Sequence, residues 1–196
     1  MKENDLIIEF IKQYTTLNEK EISAISAQNL IRQFKKNSLI LSEGQYANEC
    51  YFVLKGCVRS YFLIDGIEKT TDFFLENDSI TPSSYVDKKP STYYLSCLED
   101  CVIAIGDEKR NKELIKRVPS LEAMIVKMSA ALLNTGKTSL DDFKVLSPEM
   151  RYIKLMEARP ELFQRAPLQY IASYLGITPV SLSRMRKRIA TKPLSK

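Results

Sequence analysis

Residues 50–75 read CYFVLKGCVRSYFLIDGIEKTTDFFL. Two runs rich in aromatic and β-branched residues flank Asp65-Gly66. Asp-Gly in that setting signals a two-residue hairpin, because both turn positions need positive φ. Similar short runs lie outward on both sides, SLILSEG at 38–44 and STYYLSCLEDCVIAI at 91–105. Gly44, Gly56 and the polar segment 76–91 punctuate them. Several short strands at this spacing predict an antiparallel roll or barrel. The aromatic set Tyr51, Phe52, Tyr61, Phe62, Phe73, Phe74, Tyr93 and Tyr94 could line a pocket, but alternating strand residues in one roll core explain it more simply.

Toward the N-terminus the period changes from 2 to 3.6. Leu6, Ile7, Phe10, Ile11 and Tyr14 place a helix over 3–16. Asn18, with Glu21 three residues later, is a capping box for a second helix. Ile22, Ile25, Leu30 and Ile31 would form its apolar stripe, with β pattern beginning near Phe34.

Toward the C-terminus helical spacing returns at about Asp107. Ser120–Asp142 is long and free of proline. Leu121, Ile125, Met128, Leu132 and Thr135 follow 4-3-4-3 steps, the pattern of a dimer seam. The alternative is one amphipathic helix packed on its own domain. In LSPEMRYIKLMEARPELFQ, residues 146–164, Ser147 is an N-cap and Pro148 stands at N1. Tyr152, Leu155 and Met156 should face inward, and the helix should stop before Pro160.

The segment PLQYIASYLGITPVSLSRMRKRIA, residues 167–190, has the grammar of a helix-turn-helix. Pro167 opens the first helix, and Ile171, Ala172 and Leu175 form its inner face. Gly176 takes a turn where positive φ is needed, and Ile177 plugs the space between helices. Thr178 caps the second helix and Pro179 starts it, with Leu182, Met185 and Ile189 buried. Pro179, Val180, Ser181 and Arg184 then face out as base readers, Arg184 having the reach to bind guanine O6/N7. Gln169, Thr178, Ser183, Lys187 and Arg188 are phosphate contacts.

Charge agrees with this. Residues 143–196 carry 11 Lys/Arg against 3 Asp/Glu, a net of +8, which leaves −3 of the chain's +5 for residues 1–142. A basic module on a mildly acidic one points to a polyanion, and together with the helix-turn-helix pattern to double-stranded DNA.

Other classes are excluded or disfavoured. The 196 residues contain no histidine, which removes Ser-His-Asp and Cys-His catalysis and most zinc sites. No catalytic, metal or nucleophile constellation stands out, so an enzyme is not expected. No apolar run approaches the ~20 residues that span a bilayer. The N-terminus is not a signal peptide, and the four cysteines, Cys50, Cys57, Cys97 and Cys101, read as buried small residues of a cytoplasmic protein. TGKTS at 135–139 lacks the earlier P-loop glycine, since residue 131 is alanine.

Two regions together resemble the Crp/Fnr family of bacterial transcription regulators, most nearly the branch common in Bacteroidetes. LSEGQYANECYFVLKGCVRSYFLIDGIEK (41–69) resembles the start of that family's cyclic-nucleotide-binding-like β-roll, and IASYLGITPVSLSRMRKRI (171–189) its helix-turn-helix. The resemblance implies an α+β fold: a β-roll with flanking helices over 1–118, a dimerisation helix over 119–142, and a winged-helix-like domain with a short or missing wing over 143–196. It implies a homodimer on a palindromic site, with RNA polymerase as a further partner. One departure concerns the effector. NDSITPSSYVDKKPSTYY, residues 77–94, holds no glycine, glutamate or arginine where the family's cyclic AMP binders place phosphate-cassette groups. Cyclic AMP is therefore not expected, no cofactor is assigned, and any effector is an unknown small molecule. A second departure puts Val180 where many members carry a DNA-reading glutamate. The competing reading is a ligand- or redox-sensing module with only nonspecific DNA affinity.

Overall fold

Inward-facing Leu41, Val53, Val58, Leu95, Ile103 and Ile105 meet in one cluster between two four-stranded sheets. The computed structural model describes residues 3–28 and 30–191. One sheet is ordered β1 (Ile31–Phe34), β8 (Cys101–Gly106), β3 (Cys50–Lys55), β6 (Ser79–Ile80). The other is β2 (Leu39–Leu41), β7 (Tyr94–Cys97), β4 (Val58–Ile64), β5 (Ile67–Phe74). Every pairing is antiparallel, as the expected roll requires. Asp65 and Gly66 have φ of 51° and 76° and join β4 to β5 through a two-residue loop. Gly56, between β3 and β4, cannot be replaced. Its φ is +110°, and a Cβ there would lie 2.5 Å from Cys101 Sγ and 2.9 Å from Cys101 Cα.

Nine helices surround the roll among the described residues: α1 (Glu3–Lys12), α2 (Glu19–Ser26), α3 (Ser83–Asp87), α4 (Glu108–Arg117), α5 (Ser120–Val145), α6 (Pro148–Ala158), α7 (Leu162–Arg165), α8 (Leu168–Tyr174) and α9 (Pro179–Thr191). The Asn18–Glu21 capping box is present in both directions. Two sequence expectations shift. α1 ends at Lys12, although Tyr14 still packs on Phe10 with ring centroids 5.1 Å apart. α2 ends at Ser26, and Ile31 belongs to β1, where it pairs with Ala104. Ladder bonds to β8 override a helical apolar spacing that local sequence alone favours. Residues after Thr191, where a wing would follow, lie outside the described residues.

Both sheets are covered on their outer faces too. α1, α2, α4 and the start of α5 pack on Phe52, Leu54, Val102 and Ala104 of the first sheet, with Phe10 and Phe52 rings 4.0 Å apart. The C-terminal helices pack on Cys57, Phe73, Leu75 and Leu98. The eight aromatics therefore do not share one core. Phe52 faces the N-terminal helices and Phe73 the C-terminal head, because a strand covered on both faces buries its odd and even residues alike.

Arg165 of α7 clasps the roll. Its guanidinium donates to Glu76 Oε2 at 2.7 Å and Oε1 at 2.8 Å, and to Glu99 Oε1 at 3.1 Å. Glu76 Oε1 also accepts the Gly56 N–H at 2.8 Å. Partial burial pushes the Glu76 carboxyl up, but Arg165 and the Gly56 amide outweigh it and hold it at about 2, below its ordinary 4.5. A carboxylate held below its unfolded value stabilises the fold above that value. This contribution is complete above about 4.5 and disappears as pH falls through about 2. Urea midpoints measured across that window should fall, and Glu76→Gln should flatten the decline.

Candidate nucleic-acid interface and roll cavity

The C-terminal helical head is built as its local sequence dictates. Ser147 accepts the Met150 N–H at 3.3 Å and starts α6, whose Tyr152 and Leu155 are buried. Met156, expected inward, is 42% exposed, because the inward face of this helix is shared with the roll and turns toward Tyr152 and Leu155. Ile171, Ala172 and Leu175 are buried on and just after α8, and Gly176 turns with φ +70°. Ile177 packs half-buried between the helices. Thr178 Oγ1 accepts the Ser181 N–H at 3.1 Å and caps α9, and Leu182 and Met185 enter the core.

The opposite face of α9 is open. Pro179, Val180, Ser181, Ser183, Arg184 and Lys187 are exposed, as is Gln169 on α8. Thr178 and Ser181 hydroxyls lie 2.9 Å apart and bond each other, so the cap already engages both. Arg188 is exposed and paired with Glu149 of α6. Arg184 and Arg188 sit on the rim of a cleft of about 430 Å³ between the start of α6 and α9.

Arginines invisible to motif reading fix the head's position. Arg151 Nη1 donates to the carbonyls of Phe143 (3.1 Å) and Leu146 (2.9 Å), and Nη2 to that of Leu175 (2.8 Å). It thus ties the end of α5 to the helix-turn-helix turn, with its guanidinium 4.4 Å from the Phe143 ring. Arg159 donates to Phe73 O (3.0 Å) and Asp78 Oδ2 (2.7 Å). Arg59 of β4 is 2% exposed, bonds Glu68 Oε2 at 2.6 Å, and lies between the rings of Tyr61 (4.1 Å) and Tyr170 of α8 (3.6 Å). Ser173 of α8 accepts the Thr70 N–H at 3.0 Å. One sequence signal could have found Arg59: a lone charge inside the apolar run CVRSYF.

The other face of the same ladder opens into a cavity of about 330 Å³. It is lined by Ser60, Phe62, Thr71, Asp72, Phe74, Ser79, Ile80, Thr81, Tyr93, Leu95 and Leu132 of α5. Ser60 pairs in register with Asp72, and a bulge between Ser60 and Tyr61 brings Thr71 Oγ1 to 2.9 Å from Ser60 Oγ. The lining contains no Lys or Arg. Lys88 instead stands over the Tyr85 ring at 4.5 Å. A cyclic phosphate needs a guanidinium, an ammonium or converging amides. With Asp72 as the cavity's carboxylate, the residues present do not fit that anion.

On α5, Leu121 is buried in the roll's own helical cap, and Met128 packs half-buried against it. Both are held within the chain. Ile125, Leu132 and Thr135 are exposed, and so are Val126, Leu133, Leu140 and Phe143, which the heptad reading left out. The Thr135 hydroxyl bonds back to Ala131 O at 3.0 Å. The cysteines are free, three of them buried, and burial pushes the Cys57 thiol up to about 12. No group of metal-binding type occurs, and no helix is long and apolar enough to cross a membrane, among the described residues.

This architecture has relatives. Residues 31–118 match the family model of the cyclic nucleotide-binding domain. The described residues have the Crp/Fnr fold, an antiparallel roll followed by a long helix and C-terminal helices. A CooA mutant from Carboxydothermus hydrogenoformans superposes with TM-score 0.67 at 17% identity, covering 84% of this chain and 79% of that one. FixK2 from Bradyrhizobium japonicum gives 0.65 at 20%, covering 82% and 84%. The c-di-GMP responsive global regulator CLP of Xanthomonas campestris gives 0.65 at 16%, covering 88% and 92%. No curated protein matches the chain in sequence.

Gly176→Ala tests how closely the turn is held. A Cβ at φ +70° would stand 3.4 Å from two Phe143 ring carbons. The αL strain predicts a loss of about 1–2 kcal/mol, read as a lower thermal midpoint.

Proposed function

We propose that this chain is a homodimeric, sequence-specific DNA-binding transcription regulator of the Crp/Fnr type. The observation that carries the reading is α9: a capped helix, buried along Leu182 and Met185, whose open face carries Val180, Ser183, Arg184 and Lys187 with no acidic residue from Pro167 onward. Each subunit would lay α9 in a major groove, with half-sites ~34 Å apart. Pro179, Val180, Ser181 and Arg184 face the base edges. Gln169, Thr178, Ser183, Lys187 and Arg188 face phosphates, and Arg188 reaches one by leaving or sharing Glu149. RNA polymerase is the expected partner of the bound dimer, in the cytoplasm. The structural similarity to CLP, a global regulator that links cell-cell signaling to virulence gene expression, supports the class.

The second copy belongs on the exposed stripe of α5. Ile125, Leu132 and Thr135 of the heptad remain in that seam. Leu133 and Leu140, at 75% and 54% exposure, extend it, whereas Leu121 and Met128 serve the chain's own core. Leu132 also lines the roll cavity, so a small-molecule effector there would touch the seam directly. Cyclic AMP is not that effector, because the cavity offers its phosphate no cation.

A binding selection from randomised duplexes tests the reading. A palindromic consensus supports it. Sequence-blind binding that disappears with salt would instead establish a ligand- or redox-sensing module with only nonspecific affinity. Arg184→Ala should relax preference at one base pair per half-site and cost about 1–3 kcal/mol in binding. Leu132→Glu with Leu133→Glu should give a monomer by analytical ultracentrifugation and lose affinity for the palindrome while a single half-site still binds weakly.

A further inference from the structure

We propose that the roll cavity takes a small molecule with an apolar body and a protonated amine, received by Asp72. This rests on reading the cavity as an effector site. Its walls are apolar and aromatic: Phe62, Phe74, Tyr93, Ile80, Leu95 and Leu132. Phe62 and Tyr93 rings stand 5.8 Å apart at 44°, faces suited to an ammonium or an aromatic ring. Ser60 and Thr71 hydroxyls bond each other, which leaves the Asp72 carboxylate as the charged group of the lining.

Asp72 is placed to receive a cation. It pairs in register with Ser60 on the cavity face of β5. Oδ1 accepts the Phe73 N–H at 2.8 Å, and no salt bridge reaches the carboxylate among the described residues. The charged and titratable groups in its field are Arg159 at the end of α6, Asp78 after β5, and Tyr174 of α8. Arg159 is already held by Asp78 and Phe73 O, so it compensates Asp72 only weakly. Burial pushes the Asp72 carboxyl up to about 6, against its ordinary 3.8. A half-buried carboxylate in that setting gains from an ammonium partner and repels an anion. The cavity therefore reverses the charge preference of a cyclic nucleotide site while keeping its place in the roll.

Isothermal titration of the full chain with 2-phenylethylamine, its isostere phenylacetate, and cyclic AMP tests this. At pH near 7.5 the amine should bind and the two anions should not. Below pH of about 6 amine affinity should fall about tenfold per unit as Asp72 protonates, although the amine stays charged. Asp72→Asn keeps the Oδ1 acceptor for Phe73 N–H and should weaken the amine about tenfold or more. Where that variant does not fold, the wild-type pH series decides alone. Phenylacetate or cyclic AMP binding as tightly as the amine, a pH-independent amine affinity, or no amine binding up to about 10 mM overturns the proposal. A gel shift on the selected palindrome separates the two readings. Amine binding without change in DNA affinity keeps the ligand assignment and sinks the effector role.

Discussion

The β4–β5 ladder is the constraint on which the rest depends, because it has two faces and both are used. Arg59 and Ser60 are neighbours in the chain and point to opposite sides. Arg59 stacks on Tyr170 of the C-terminal head, and Ser60 lines the cavity. Phe73 and Phe74 repeat the division one strand away, Phe73 in the head's core and Phe74 in the cavity wall. A single sheet thickness separates the cavity from the helix that opens the proposed DNA-binding motif. Any change in strand twist or register at the Thr71 bulge reaches both faces at once. The head also meets the long helix through Arg151, whose three carbonyl partners lie on α5, on the turn after it, and at the end of α8.

Charged groups flank an apolar cluster at that junction. Arg159 and Arg165 cross from the C-terminal helices to the roll with planar, charge-assisted bonds, and Arg59 crosses the other way by stacking on Tyr170, all set around the apolar cluster of Cys57, Phe73, Leu75 and Leu98. Such bonds demand geometry, so they define one orientation of the head more sharply than apolar packing alone. A ligand that bound two positions of the head unequally would shift their balance.

Much of the fold was legible in sequence. The Asp65-Gly66 hairpin, the Asn18–Glu21 capping box, Ser147 before Pro148, and the Ala172-to-Gly176 turn each rest on a local backbone rule, and each stands where that rule puts it. The exposed face of α9 followed from period alone. The heptad on α5 was half legible. Leu121 and Met128 fit a seam by spacing, yet the N-terminal helices claim them, and spacing cannot say which of two apolar partners wins.

The sequence by itself determined the local elements, the basic character of the C-terminal module and the absence of histidine chemistry, because propensity, capping and composition act over a few residues. Tertiary structure decided which face each strand residue serves, that Arg59 is buried between two tyrosines, and that Asp72 stands in a cavity without a basic neighbour in its lining. Those outcomes depend on contacts between residues up to about a hundred positions apart, such as Thr70 with Ser173. No local period encodes them.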